Sequence, residues 1–461
     1  MAPKTVLSNL LKAVKKADGG IAMSIKDFRE AQYGIPLKHY CLQYLFGSTG
    51  LRYGGFYLLG GKPKSCKSPF AFFLGHLCCE NGGATLLYEL EGKASPTLLH
   101  SMFSDHEDWL DDNNEESPFK MYMGMTLDEA EKHLNKDFIK NMKAAAEKEP
   151  AIYSSPILID WDSISGAATE DMTEKLLGGE AAGKGFGSKP HLMKNFTENW
   201  TTLRGLLPLV FVGVLQEKEK IADGARSPFA SAQKSYGGGD SQLFKAGTLL
   251  SFSLMGQLPT GNGKLVRIKT AMNGFADARQ IETKFVWDQF GSLEEESQGH
   301  KWLFAEASAR LLATPKVVGN LRDIIDVKMN DQGFVTCKQF GLDKVTPEEF
   351  EEALFAPEND GTLDDLYKYY KIEKIHGTEE YADFVAKRKG SAVAAKEAEK
   401  EAKKAEQQAR IEAEKAKEAE KQAKREAKAK KAAAASSLKA LKEIGKGGSS
   451  ENSNSNQEHD A

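Results

Sequence analysis

From about Ile35 to Phe290, short apolar runs alternate with stretches of helical spacing. The runs are Tyr57 to Leu59, Thr85 to Tyr88, Ile157 to Asp160, Leu209 to Val214, Thr248 to Leu254, Val266 to Thr270 and Thr283 to Trp287. Apolar runs this short predict buried strands. Their alternation with helices predicts an α/β fold: a largely parallel sheet covered by helices on both faces, with later strands antiparallel at one side. Ligands of such sheets sit beyond the carboxyl ends of the strands. Before this region, Leu7, Leu10, Leu11 and Val14 recur at helical spacing and predict an amphipathic helix closed by Asp18-Gly19-Gly20. Its apolar face either packs on its own domain or docks on a neighbouring subunit.

After the acidic stretch Glu294 to Gln298 the pattern is less periodic and predicts a small C-terminal domain with a helix over Pro347 to Leu354. From Gly390 to Lys431 the chain is almost wholly Ala, Glu, Lys, Gln and Arg, with pairs such as Glu399 and Lys403 or Glu420 and Lys424 at i, i+4. Ile411 is nearly its only large apolar residue, so it predicts a solvated single helix without a coiled-coil seam. Gly, Ser and Asn dominate the end and predict disorder. The expected organisation is residues 1–34, an N-terminal oligomerisation helix region; 35–293, the sheet domain; 294–389, the small domain; and 390–461, a charged tail.

Charge changes the picture only locally. The 461 residues carry a net charge of −4, but residues 390–446 hold 16 Lys and Arg against 10 Asp and Glu. The remaining body is acidic, so any nucleic-acid contact must come from basic loops. The five cysteines form no metal-ligand spacing and no even disulfide framework, which suits a reducing cytoplasm. Neither a secretory leader nor a run of about 20 apolar residues is present, so no membrane association is expected.

The strongest motif is Gly61, Lys62, Pro63, Lys64, Ser65, Cys66, Lys67 and Ser68, placed between an apolar strand and a helix. It has the form of a phosphate-binding loop except at Cys66. Backbone N–H groups of such a turn and the positive end of the helix surround phosphates. Lys67 would reach the β and γ phosphates and Ser68 would ligate Mg²⁺. Cys66 disfavours the positive φ that glycine would allow there, leaving open a chance match or a decayed loop. Hydrolysis also requires carboxylates near the metal and the attacking water. Candidates are Asp162 with Asp160 two residues earlier, at the end of the run Ser155 to Ile164, and Glu89 and Glu91 after the run Leu86 to Tyr88.

Together these features resemble the RecA-like strand-exchange recombinases, and most closely the bacteriophage UvsX-type branch. That branch also carries a bulky residue before the loop lysine, in a K-S-x-K-S run reproduced here as Lys64 to Ser68. The resemblance covers roughly residues 30–290, including Ile35-Pro36 through Gly55, Asp162-Ser163, and Gly237-Gly238-Gly239-Asp240. It implies a RecA-like P-loop ATPase core using ATP and Mg²⁺. It assigns water activation to Glu91, five residues before Pro96, metal binding to Asp162, and γ-phosphate sensing to Gln216. It further implies a filament on single-stranded DNA that pairs with homologous duplex DNA, with a single-strand-binding protein and a loading mediator as further partners. A second DNA loop is expected at about Glu217 to Asp240. There Lys218, Lys220, Arg226 and Lys234 would neutralise phosphates, Phe229 and Tyr236 would stack on bases, and Gly237, Gly238 and Gly239 would give flexibility. A first loop, between Gly166 and Lys189, would contribute Lys184 and Lys189. The alternative for both is ordinary surface loops.

One family feature is missing. Where the family places basic residues that reach the neighbouring subunit's nucleotide, this chain has Ala271, Met272, Asn273 and Gly274, with Lys269 and Arg279 the nearest cations. A RecA-core replicative helicase and a decayed P-loop ATPase retained for assembly are the competing readings.

Overall fold

The computed structural model describes residues 32–446 except 112–113, 115, 179–187, 221–232, 238–240, 274–276, 288–298 and 315–320. The expected N-terminal helix, the acidic stretch after Gln289, and the end of the tail lie outside the described residues.

A ten-stranded sheet organises the molecule. In chain order its strands are β1 (Phe56–Gly61), β2 (Ala84–Glu89), β3 (Phe119–Met123), β4 (Ile157–Asp162), β5 (Leu209–Lys220), β6 (Gln233–Tyr236), β7 (Thr248–Gln257), β8 (Gly263–Asn273), β9 (Gln280–Val286) and β10 (Lys301–Trp302). The spatial order is β10-β9-β8-β7-β1-β5-β4-β2-β3, with β6 paired to the extension of β5. From β7 to β3 neighbouring strands run parallel, whereas β7 to β10 pair antiparallel. The mixed architecture follows the apolar pattern, with every run named above falling in a strand.

Side chains alternate between two cores, as the period of two requires. Tyr57 and Leu59 of β1 join Val210, Val212 and Val214 on one face. Phe56 and Leu58 join Ile159, Trp161 and Phe211 on the other. A one-residue slip would exchange the two sets, so burial of both faces fixes the register. The first face is covered by helices α1 (Tyr40–Phe46) and α2 (Lys67–Glu80). The second is covered by Leu127 to Ala146 and by α3 (Ser188–Arg204), whose Phe196 stacks on Trp161 at 4.7 Å.

Most buried residues beyond 293 share the first core instead of building a separate one, while Tyr381 and Val385 join the second. Helices α4 (Phe304–Ala313), α5 (Pro347–Leu354) and α6 (Asp360–Tyr370) bury Phe304, Phe350 and Leu366 in the cluster that contains Ile35 and Leu59. Helix α5 has the expected bounds because Thr346 and Glu349 form a reciprocal capping box and Pro347 fits the first turn. The chain divides into two compact units, Ser24–Lys387 and a second containing Arg388–Ala461. A last helix, α7 (Tyr381–Lys446), begins in the first unit, where Tyr381 and Val385 are buried, and continues through the charged tail. It therefore starts nine residues before the composition changes at Gly390. No helix among the described residues is long and apolar enough to cross a membrane.

Candidate active site

The loop Gly61 to Cys66 leaves the carboxyl end of β1 and enters α2 at Lys67. Gly61 is required by space, since an added Cβ would lie 2.5 Å from the Phe252 carbonyl oxygen. The expectation at Cys66 is corrected by its backbone, which has φ 66° and ψ 29°, the left-handed conformation that the sequence was read to disfavour. Lys64 is also left-handed, at φ 63°. Such residues cost about 1–2 kcal/mol each, and loop closure around a buried lysine overrides that local preference. The Lys67 side chain folds back over the loop, donating to the Lys62 carbonyl at 2.8 Å and approaching Ser65 Oγ at 3.5 Å. Burial lowers its pKa, while Asp162 and Glu91 oppose the shift by favouring the cation.

Opposite the loop, carboxylates gather at the ends of adjacent strands. Asp162 ends β4 and is 9 % exposed. Burial raises its pKa, with Glu91 and Glu89 adding to the shift, while a Ser68 hydrogen bond and Lys67 oppose it. Asp160 is buried below it with Oδ1 lacking a hydrogen-bond partner, and burial beside Asp162 pushes its carboxyl well above the usual range. It therefore belongs to the sheet interior.

Glu89 and Glu91 separate by their partners. Glu89 accepts the N–H groups of Gly92 and Lys93 at 2.6 and 2.9 Å and so holds the turn after β2. Glu91 instead turns toward β4 and β5. Its Oε1 accepts from the Ser163 hydroxyl and from Gln216 Nε2, the latter at 2.8 Å, and its Oε2 pairs with Lys93 at 2.8 Å. Gln216 lies opposite Gly61 in the β1–β5 register, so one residue touches both the carboxylate cluster and the root of the loop.

The expected second DNA loop is partly a β-ribbon. Beyond Gln216, β5 continues to Lys220 and pairs with β6, Glu217 facing Tyr236 and Lys218 facing Ser235. Lys218, Lys220 and Lys234 therefore lie on strands, and Lys218 is exposed. Arg226, Phe229, Gly238 and Gly239 lie outside the described residues. Tyr236 requires correction: its ring packs over Gly60, where an added Cβ would collide with it, and its hydroxyl bonds Ser251. It wedges the ribbon onto the sheet while staying half-buried. The first loop is likewise not a loop throughout, since Glu170–Leu177 is helical. Lys184 lies outside the described residues. Lys189 sits in the first turn of α3 and points inward, donating to the Ser165 carbonyl at 3.0 Å.

Of the two nearest cations proposed for a neighbour's nucleotide, Arg279 is removed. It is 6 % exposed, donates to the Tyr44 carbonyl at 2.5 Å and to those of Tyr370 and Lys371, and stacks on Tyr44. Lys269 remains exposed on β8.

Sequence reasoning missed a cleft of about 440 Å³ beside the loop, lined by Cys66, Ser68, Thr97, Lys264, Trp287 and His300. Trp287 and His300 are nearly parallel with centroids 6.0 Å apart, and Lys264 Nζ lies 5.7 Å from the Trp287 ring. Trp287, which closes the last predicted run and in the structure lies just past β9 at the same end of the sheet as the loop, was the available signal. No protein-family description matches this chain, and no curated protein matches it significantly.

Proposed function

We propose that this protein is an ATP-dependent recombinase of the RecA type, which forms a helical filament on single-stranded DNA and promotes homologous pairing and strand exchange. The observation that carries the reading is the hydrogen bond between Glu91 and Gln216. It links a buried carboxylate facing Lys67 and Asp162 to the strand that continues into a lysine-bearing ribbon. In this reading the loop N–H groups and Lys67 bind the phosphates. Ser68 and Asp162 hold Mg²⁺, and the cleft beside Trp287 accepts the base. ATP bound here would supply the γ-phosphoryl group that passes to water, with ADP leaving, and Mg²⁺ would neutralise charge on the phosphates. Glu91 orients and deprotonates the water, and Gln216 reports the occupancy of the site to the ribbon.

The test is electron microscopy of the purified protein with single-stranded DNA, with and without a non-hydrolysable ATP analogue. Analogue-dependent helical filaments, lost in Lys67→Ala, are the expected result. Closed hexameric rings would favour a replicative helicase. Filaments indifferent to nucleotide would favour an assembly protein with a decayed loop, a reading that the burial of Arg279 supports.

A further inference from the structure

Residues 163–166 leave the end of β4 and touch Glu91, β5, Gly237 and the start of α3. Ser163 donates to Glu91, and Gly166 lies so close to Glu91 that an added Cβ would collide with the carboxylate. Ile164 N–H donates to the Val214 carbonyl at 3.0 Å, which ties the segment to β5. Between them Ser165 makes three contacts that no role assigned above uses. Its Oγ accepts the Gln216 backbone N–H at 2.8 Å, and its carbonyl accepts Lys189 Nζ at 3.0 Å. Its side chain also faces Gly237, where an added Cβ would lie 2.6 Å from Oγ. Gly237 returns its N–H to the Gln216 carbonyl at 3.3 Å, and its own carbonyl accepts Gln242 Nε2 at 2.7 Å.

We infer that Ser165 is a positioning residue through which the nucleotide site and the DNA ribbon sense each other. The inference rests on the proposed recombinase reading and names the junction that reading requires. Gln216 is held at both ends, its amide on Glu91 and its backbone on Ser165. A change at Glu91 that moves Gln216 must therefore carry Ser165 with it or break the bond. Ser165 in turn abuts Gly237, where β6 ends, and holds Lys189 at the start of α3. Closely packed contacts of this kind switch between discrete arrangements and do not deform continuously. One seryl residue thereby connects both strands of the ribbon and the first turn of α3 to the carboxylate cluster. Gly237 has its function here too, because only a residue without Cβ lets the ribbon approach Ser165 this closely.

The experiment uses the full chain and measures a linkage, which is reciprocal for binding. Affinity for a labelled single-stranded oligonucleotide is determined with and without a non-hydrolysable ATP analogue, and affinity for the analogue with and without DNA. In the wild type each ligand is expected to tighten the other by about tenfold or more, within the range usual for coupled sites. In Ser165→Ala, and independently in Ser165→Gly, the mutual effect is expected to fall to within about twofold, while each ligand alone still binds. Thermal unfolding verifies that each variant is folded, and Ser165→Gly decides the matter if Ser165→Ala is not. Folded variants that keep the wild-type coupling overturn the inference and leave the recombinase reading standing. A wild type in which neither ligand affects the other overturns the reading and the inference with it.

Discussion

Cys66 occupies the residue position at which the motif departs from glycine, yet it adopts the left-handed backbone glycine would supply. The strain of about 1–2 kcal/mol is opposed by burial of the thiol, which is 5 % exposed. Glycine would relieve the first and forfeit the second, at a further backbone-entropy cost of about 0.5–1 kcal/mol. Cys66→Gly is therefore expected to change stability little and to retain ATPase activity, measured by thermal unfolding and phosphate release. A rise from almost no turnover would show that the cysteine had disabled the loop. Glu91 and Glu89 give a sharper contrast. Glu91→Gln should preserve ATP binding and lower hydrolysis by about two orders of magnitude or more. Glu89→Gln keeps an acceptor for the turn, loses charge assistance worth about 1 kcal/mol, and leaves most turnover intact. The reverse order in a steady-state assay would show that the roles are exchanged. In the sequence these two were separated only by spacing to Pro96; in the structure they are separated by what they accept. Cys66 was misread because propensity describes an isolated residue, whereas its φ is set by closure of the whole loop.

At the scale of elements, apolar patterning found the strands with at least one well-buried face and missed an edge strand and the polar ribbon. Phe119–Met123, at the sheet edge, places Met121 and Met123 partly in solvent and has Lys120 within it, so it offered no continuous apolar run despite the strand preference of Phe119 and Tyr122. The ribbon of β5 and β6 was also illegible, because Glu217 to Lys220 and Gln233 to Tyr236 are mostly polar and pair with each other. Its strand character changes what its residues should do. Tyr236→Ala, once expected to weaken base stacking, should instead destabilise the protein by about 2 kcal/mol, below the roughly 3–5 kcal/mol of a fully buried aromatic. Lys218→Ala should leave stability nearly unchanged and reduce the salt dependence of single-strand binding by about one unit of slope if it meets a phosphate. Thermal melts and binding titrations at several salt concentrations distinguish the two. A Tyr236→Ala variant of unaltered stability with a large loss of DNA affinity would restore the stacking role.

For the whole molecule, the boundary in composition at Gly390 differs from the boundary in packing. Tyr381 lies 4.8 Å from Tyr53 between ring centroids, and its hydroxyl donates to the Leu206 carbonyl at 2.9 Å. Val385 is 1 % exposed, so the first turns of α7 belong to the core although the rest of the helix is Ala, Glu and Lys. Composition could not reveal this, because Tyr381, Phe384 and Val385 are only three large residues before a long charged helix. Two truncations separate the parts. A chain ending at Lys389 should melt within about 2 °C of the full protein, since the i, i+4 pairs it loses support only their own helix. A chain ending at Glu380 loses two buried side chains and a buried hydrogen bond, together worth several kcal/mol, and should melt lower by roughly 5 °C or more. The chain ending at Lys389 should also lose a small part of single-strand affinity at low salt and none at high salt. The excess of 16 basic over 10 acidic residues in 390–446 attracts phosphate only where counterions do not screen it. A salt-independent loss of DNA binding on removing the tail would mean that it makes specific contacts and is more than a charged spacer.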